Sequence, residues 1–422
     1  MTVTSNRLAW GPHSVDFQER IDFARMRKER AEKTRAQMTK QGIAVAILSG
    51  GENIRYTSSM RTAVHLPSGR YCIIIFANSE EMVFLAPYEY VIHARKHTAW
   101  IRSENIRTLP GWLGDAGDGS EKYVGKMAAD VILQVLRENK VEKEKVGLDG
   151  LPPTIKGPLE NSGINFVPIK EVMVKARAIK TEDEINCLKM AGAIVEKAWW
   201  KVYENLKPGI TECELSAVGA EVLTRNGAEG PFLVSARTGP NTAPNFLAMV
   251  TDRILQVGDL GFADIWGNTF NGYRTCYYRT WKVGNKPTDK EKDWYKQAYD
   301  MLLKGQEALK PGVTSADVAK QFPDYHAWGL NSEEEVDGNC ECHGVGLGQN
   351  EYPTIRRLYS LSHPEPIEEG MVFAVETWMG EKFEGGCRVE NVGVIRKDGF
   401  ENFYTFPDNG IMVPPHSLVV VE

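Results

Sequence analysis

No stretch of this chain approaches the roughly 18 consecutive apolar residues of a membrane span, and the opening MTVTSNRLAWGPHSV lacks the apolar core of a signal peptide. The expectation is a cytoplasmic protein with no membrane partner. A basic excess is also missing. With 50 Lys and Arg against 56 Asp and Glu, a net charge of −6 and a pI near 5.9, no general surface for neutralising nucleic-acid phosphates is expected, which leaves a small-molecule substrate. Cysteines number seven in 422 residues, odd and scattered, so a disulfide framework is not expected. Cys340 and Cys342 flank Glu341 just before His343, but no second cysteine pair accompanies them, which argues against a structural zinc knuckle. Repeats and low-complexity tracts are absent.

What is present divides into two unlike halves. The stretch from Val15 to Gln41 reads as a long charged helix, followed by the strand patterns IAVAILS, RYCIIIFAN and EMVFLAP. Helix and strand signals alternate to about residue 170, which gives an α/β domain over 1–175 with continuous apolar strands at its centre. GWLGDAGDGSE reads as a loop. A new domain, 176–422, opens with RAIKTEDEINCLKMAG, in which Thr181 can cap a helix and Glu184 can reach back to it, with Ile185, Leu188 and Ala191 on one face.

The chemistry concentrates in this second half, as isolated acids in apolar company. Asp264 ends a strand pattern, a second strand reads from Tyr273 to Val283, and Glu376 (VFAVE) and Glu390 (CRVEN) lie on further strands. A carboxylate on a buried strand costs several kcal/mol unless it is paired or binds a metal. Arg388 and Arg279 are the available salt-bridge partners. In CECHGVGLGQNEYP, alternating glycines follow His343, as they would where backbone passes close to something a Cβ would obstruct, here expected to be the ligand cluster.

Taken in order, Asp264, GYRTCYYRTW, HGVGLGQNEYP, GMVFAVE and CRVENVGVI resemble the pita-bread metallohydrolase superfamily, which includes aminopeptidase P, prolidase and creatinase. QGIAVAILSGGENIRYTSS is similar to the creatinase-type N-terminal domain. The resemblance implies an N-terminal α/β domain, an α+β catalytic domain with a curved antiparallel sheet, and a homodimer. It also implies metal ligands at Asp264, His343, Glu376 and Glu390, with Cys276 where the family has a second, bridging aspartate. Sulfur bridges hard cations poorly, so one divalent transition-metal ion is expected instead of two. The mixed donor set suits zinc or iron, with manganese as a further option. Asp264 is then a free base or a ligand of a weak second ion. A site without metal, as in creatinase, is the alternative.

Two further departures weaken a peptidase site. Asn245 and Asn350 stand where the family's peptidases have histidines, and asparagine can donate a hydrogen bond but cannot carry a proton. The expected reaction is metal-assisted hydrolysis of an amide-like C–N bond in a small molecule or dipeptide, with Glu376 taking the proton of the attacking water, and Asp264 and Asn350 assisting. Asn245, Trp266, Tyr273 and Trp378 are expected to bind substrate. The rings of Trp266, Phe270, Tyr273, Tyr277, Trp281 and Trp378 either enclose a methylated cation or simply pack the sheet. ARTGPNTAPNF, YRTWKVG and VIRKDGFENFYTFP are also similar to a pita-bread dimethylsulfoniopropionate lyase, so elimination, with Asp264 or Glu351 as base, is the second function. A scaffold without catalysis is the third.

Overall fold

The computed structural model describes residues 21–62, 69–112, 114–243, 250–336, 338–414 and 417–421. Contacts divide them into two compact units, Arg27–Arg177 and Ala178–Glu422, with residues 21–26 grouped with the latter. No helix among the described residues is long and apolar enough to cross a membrane.

The first unit is built on a mixed six-stranded sheet. Its strands are β1 (Val45–Leu48), β2 (Cys72–Phe76), β3 (Met82–Ala86), β4 (Ile106–Thr108), β5 (Lys145–Leu148) and β6 (Asn165–Pro168), in the order β4-β3-β2-β1-β5-β6. β1 and β2 are buried throughout, as expected of central strands covered on both faces. The helix Asp118–Glu138 supplies one cover through Ala128, Ala129, Ile132, Leu133, Val135 and Leu136. Its start at Asp118 leaves residues 114–117 of the expected loop outside any helix.

The second unit opens with the helix Glu182–Asn205, and the capping box formed by Thr181 and Glu184 is present. Two sheets follow. One runs β17-β16-β10-β8-β7, with β9 also on β8, from β7 (Phe232–Thr238), β8 (Leu260–Phe270), β9 (Tyr273–Thr275), β10 (Tyr278–Lys282), β16 (Gly410–Val413) and β17 (Ser417–Val420). The other runs β12-β11-β13-β14-β15, from β11 (Cys340–Gly344), β12 (Glu351–Ile355), β13 (Val372–Glu381), β14 (Gly385–Arg396) and β15 (Gly399–Asn402). The strand expected over Tyr273–Val283 is interrupted at Cys276 and Tyr277; Arg274 and Thr275 keep the register on β8 that Tyr278–Lys282 have, and the register shifts between Asn268 and Phe270, where Tyr273 pairs.

Strand alternation sorts the second sheet into a core face and a site face. Cys340, Cys342, Phe373, Val375, Met379, Cys387 and Val389 join one apolar core with Trp294, Ala298, Met301 and Leu302 of the helix Asp289–Ala308. The CxC cysteines are therefore core residues. Glu341, His343, Glu376, Arg388 and Glu390 take the opposite face. The two sheets are joined where Thr280 Oγ1 donates to Arg388 O at 2.7 Å and accepts from Arg388 N at 2.9 Å.

Candidate metal centre

Register across the second sheet aligns three carboxylates in one row. Glu341 on β11 lies opposite Glu376 on β13, and Glu376 opposite Glu390 on β14. His343, two residues beyond Glu341, lies opposite Ala374, whose small side chain leaves room for the imidazole. His343 Nδ1 faces Gly344 O at 3.1 Å, which leaves Nε2 turned toward Glu376 Oε1 at 3.7 Å. Cys276 is brought in from the first sheet. Arg274 N–H donates to Gly346 O at 2.8 Å, Gln349 Nε2 to Thr275 O at 3.0 Å, and the Tyr404 hydroxyl to Cys276 O at 3.2 Å.

Among the described residues, Cys276, His343 and Glu390 form a buried group whose ligating atoms all lie within 4.8 Å of one another. Neither Glu390 oxygen has a hydrogen-bond partner of proper geometry, although both are buried. Two orphaned carboxylate oxygens beside a thiol and an imidazole fit a cation better than they fit a closed hydrogen-bond network. Donors around a tetrahedral zinc stand about 3.3–3.8 Å apart, so a small contraction of this group would suffice.

The electrostatics agree. Burial pushes the Glu390 carboxyl well above its usual range, with Asp264 adding to the rise. Burial raises the Cys276 thiol likewise, with Glu390 and Asp264 adding to it, and lowers His343 toward the neutral imidazole a metal requires. Burial is the largest cause of each shift, as expected of ionisable groups withdrawn from water.

Asp264 and Glu376, both expected as ligands, lie outside this three-donor group. Glu376 Oε2 accepts from Arg388 Nη2, so the salt-bridge partner named from sequence is real for this residue. Burial also raises Glu376. Glu341 escaped the sequence reading, although its place two residues before His343 puts it on the same strand face. Burial alone would raise Glu341, but hydrogen bonds from Glu376 and Arg356 hold it at about 2. Asp264 is raised to about 6 by burial, against the pull of the Tyr278 hydroxyl, Arg388 and Arg237.

The remaining expected residues separate. Trp266 and Trp378 stand two residues from Asp264 and Glu376 on the same strand faces, and Trp378 Nε1 donates to Thr242 O at 3.1 Å. Tyr273 is instead a packing residue, since its hydroxyl donates to Glu184 Oε1 at 3.0 Å. Tyr277 stacks on Tyr404 with ring centroids 3.8 Å apart, and Trp281 packs against Trp199, so these rings do not form a cage. Asn350 is exposed, beyond the buried cluster. Asn245 lies outside the described residues.

The glycines after His343 have a different role from the one expected. A Cβ on Gly346 would stand 2.5 Å from Glu351 Oε2, one on Gly344 2.8 Å from Glu351 O, and one on Gly348 3.1 Å from Glu351 Cγ. They form a bed for Glu351. Its carboxylate accepts from Gly348 N at 2.8 Å and pairs with Lys180 Nζ at 3.0 Å. Glu351 is thereby committed to a buried ion pair and is not a free base.

Residues 186–397 match metallopeptidase family M24, and residues 30–179 match the creatinase/prolidase N-terminal domain. The chain belongs to metallopeptidase family M24. This makes it a hydrolase of a family built around divalent metal ions. Relatives include Probable dipeptidase PepE of Mycobacterium tuberculosis (strain H37Rv), 30% identical over 63% of this chain and 69% of the relative. The Xaa-Pro dipeptidase of Pyrococcus furiosus is 28% identical over 64% and 75%. Among solved structures, a Bacillus anthracis Xaa-Pro dipeptidase aligns with a TM-score of 0.72 at 21% identity, covering 92% of this chain and 99% of that one. Dipeptidase PepE of Mycobacterium ulcerans gives 0.70 at 22%, covering 93% and 99%. At such identities the structures show the fold alone, a creatinase-like domain followed by a pita-bread domain. These relatives are peptidases, so the likeness to dimethylsulfoniopropionate lyase gains no support and the hydrolase reading stands.

Proposed function

We propose that this M24 chain hydrolyses the amide-like bond of a dipeptide or a similar small molecule, using one divalent transition-metal ion held by Cys276, His343 and Glu390. The carrying observation is the buried three-donor group with its orphaned Glu390 oxygens. Sulfur, imidazole and carboxylate together favour zinc or iron over magnesium, with manganese less well matched. When bound, the ion supplies Lewis acidity toward the scissile carbonyl and lowers the pKa of water.

The chain's own groups do the rest. Glu376, fixed by Arg388 through Oε2 and facing His343 with Oε1, would be ionised by a cation bound beside it, against the rise that burial imposes, and is then placed to take a proton from the attacking water and return it to the leaving nitrogen. Asp264, buried and near neutrality in its titration, is a second proton acceptor. Trp266 and Trp378 give the substrate apolar walls, and Asn245 supplies a neutral hydrogen bond where an imidazole would exchange protons. A cytoplasmic homodimer with domains 1–175 and 176–422 completes the proposal. The test is incubation of metal-loaded protein with a panel of Xaa-Pro and other dipeptides in ¹⁸O-labelled water. Label in the released carboxylate supports hydrolysis; an unlabelled alkene product would refute it.

A further inference from the structure

A cavity separate from the three-donor group opens within the second unit. It measures about 180 Å³, lies between the one-turn helix Glu333–Val336 and the start of the short helix Arg357–Ser360, and abuts β11 at Cys340. Cys276, His343 and Glu390 do not line it. An apolar cavity of roughly 150 Å³ holds benzene, so the space suffices for a small organic molecule. Its walls divide by character. Phe322, Pro323, Val336 and Leu358 are apolar, with Leu358 44% exposed, while Arg356, Arg357, Glu333 and Glu334 are charged. With two charges of each sign the lining is balanced, so it favours neither a bare anion nor a bare cation. A molecule carrying both charges matches it.

Arg357 offers the cationic half. Its Nε donates to Glu333 Oε1 at 3.0 Å and its Nη1 to Phe322 O at 3.1 Å, which fixes the guanidinium plane and leaves Nη2 without a partner among the described residues. A guanidinium keeps its charge in a protein and suits a carboxylate. We infer that this cavity binds a free α-amino acid with an aliphatic side chain: its carboxylate on Arg357, its ammonium on Glu333 and Glu334, its side chain against Phe322, Val336 and Leu358. Arg356 joins the cavity to the metal centre, since its Nε donates to Glu341 Oε2 and Glu341 lies opposite Glu376. A carboxylate in the cavity competes with Glu341 for that arginine, so occupancy lowers turnover. Binding stands on the cavity alone; only its meaning, feedback from an amino acid that the enzyme releases, rests on the dipeptide reading above.

Titration calorimetry of the full chain, with and without bound zinc, tests the binding. Leucine is compared with glycine, which lacks the side chain, leucinamide, which lacks the carboxylate, and isocaproate, which lacks the ammonium. The expected result is one saturable site for leucine with a roughly millimolar dissociation constant, the same after chelator stripping, and at least about tenfold weaker binding of each of the other three. Arg357→Met removes the charge and Leu358→Trp fills the space, and each should weaken leucine at least about tenfold in a chain that circular dichroism shows to be folded. Because Leu358 is exposed, its variant carries the test if Arg357→Met fails to fold. No saturable binding of leucine would overturn the inference, as would binding that needs the metal, that survives both variants, or that isocaproate or leucinamide matches. With zinc and a cleaved dipeptide, leucine should lower kcat without raising KM in wild type, and not in Leu358→Trp. A rise in KM alone would put leucine in the catalytic site and overturn the feedback. A chain that cleaves no dipeptide refutes the function reading, on which the calorimetry does not depend.

Discussion

Replacing Lys180 with methionine tests whether the glycine bed and its ion pair hold the metal loop in place. Lys180 Nζ and Glu351 Oε2 are 3.0 Å apart, with side chains 1% and 3% exposed. Removing one partner of such a pair costs about 3–5 kcal/mol, because the other charge remains buried. The Gly348 N–H bond to Glu351 persists, which places the expected loss at the lower end, about 3 kcal/mol. For a unit of this size that is a fall in melting temperature of roughly 6–12 °C, read by circular dichroism and checked by urea unfolding. Glu351→Gln in the same background removes the second charge and should recover all but about 1 kcal/mol of the loss. The reasoning fails if Lys180→Met alone costs less than about 1 kcal/mol, or if the double variant is no more stable than the single. Because Gly344 pairs with Glu351 and also supplies the carbonyl facing His343 Nδ1, the single variant should also bind zinc more weakly.

His343→Ala removes the only imidazole of the three-donor group and should lower zinc affinity by at least about a hundredfold, measured by competition with a chromogenic chelator. The metal-free protein should lose stability as pH rises from about 4 to 6. Asp264 titrates at about 6 when folded and near 4 when unfolded, so in this window the unfolded chain binds fewer protons and gains from rising pH. The loss is about 3 kcal/mol at most, complete above pH 6. Glu376 and Glu390, raised as well, act in the same direction. Urea unfolding across this range checks it, with Asp264→Asn showing a shallower slope and added zinc reversing the trend.

The family, the two-domain order and the capping box of Thr181 and Glu184 were legible in the chain itself, and of the five ligands that the resemblance implied, Cys276, His343 and Glu390 stand as one buried group. These are local signals: a helix start is written in four consecutive residues, a buried strand in its apolar run, and an acid inside such a run is conspicuous. Alternation also placed Cys340 and Cys342 opposite Glu341 and His343, so the core role of the cysteines and the site-facing position of Glu341 could have been read from CECH.

Tertiary structure decided which of these groups meet. Pairing of Glu341, Glu376 and Glu390 across three strands, and of Asp264 with Tyr278 across two, depends on register between segments far apart in sequence, which local pattern does not specify. The same long-range placement gave Glu376 to Arg388, left Asn350 in solvent and turned Tyr273 to Glu184. It also settled the glycines. Their spacing announced a close approach, but only the fold showed that the approaching group is the Glu351 side chain, held by Lys180 from 171 residues away.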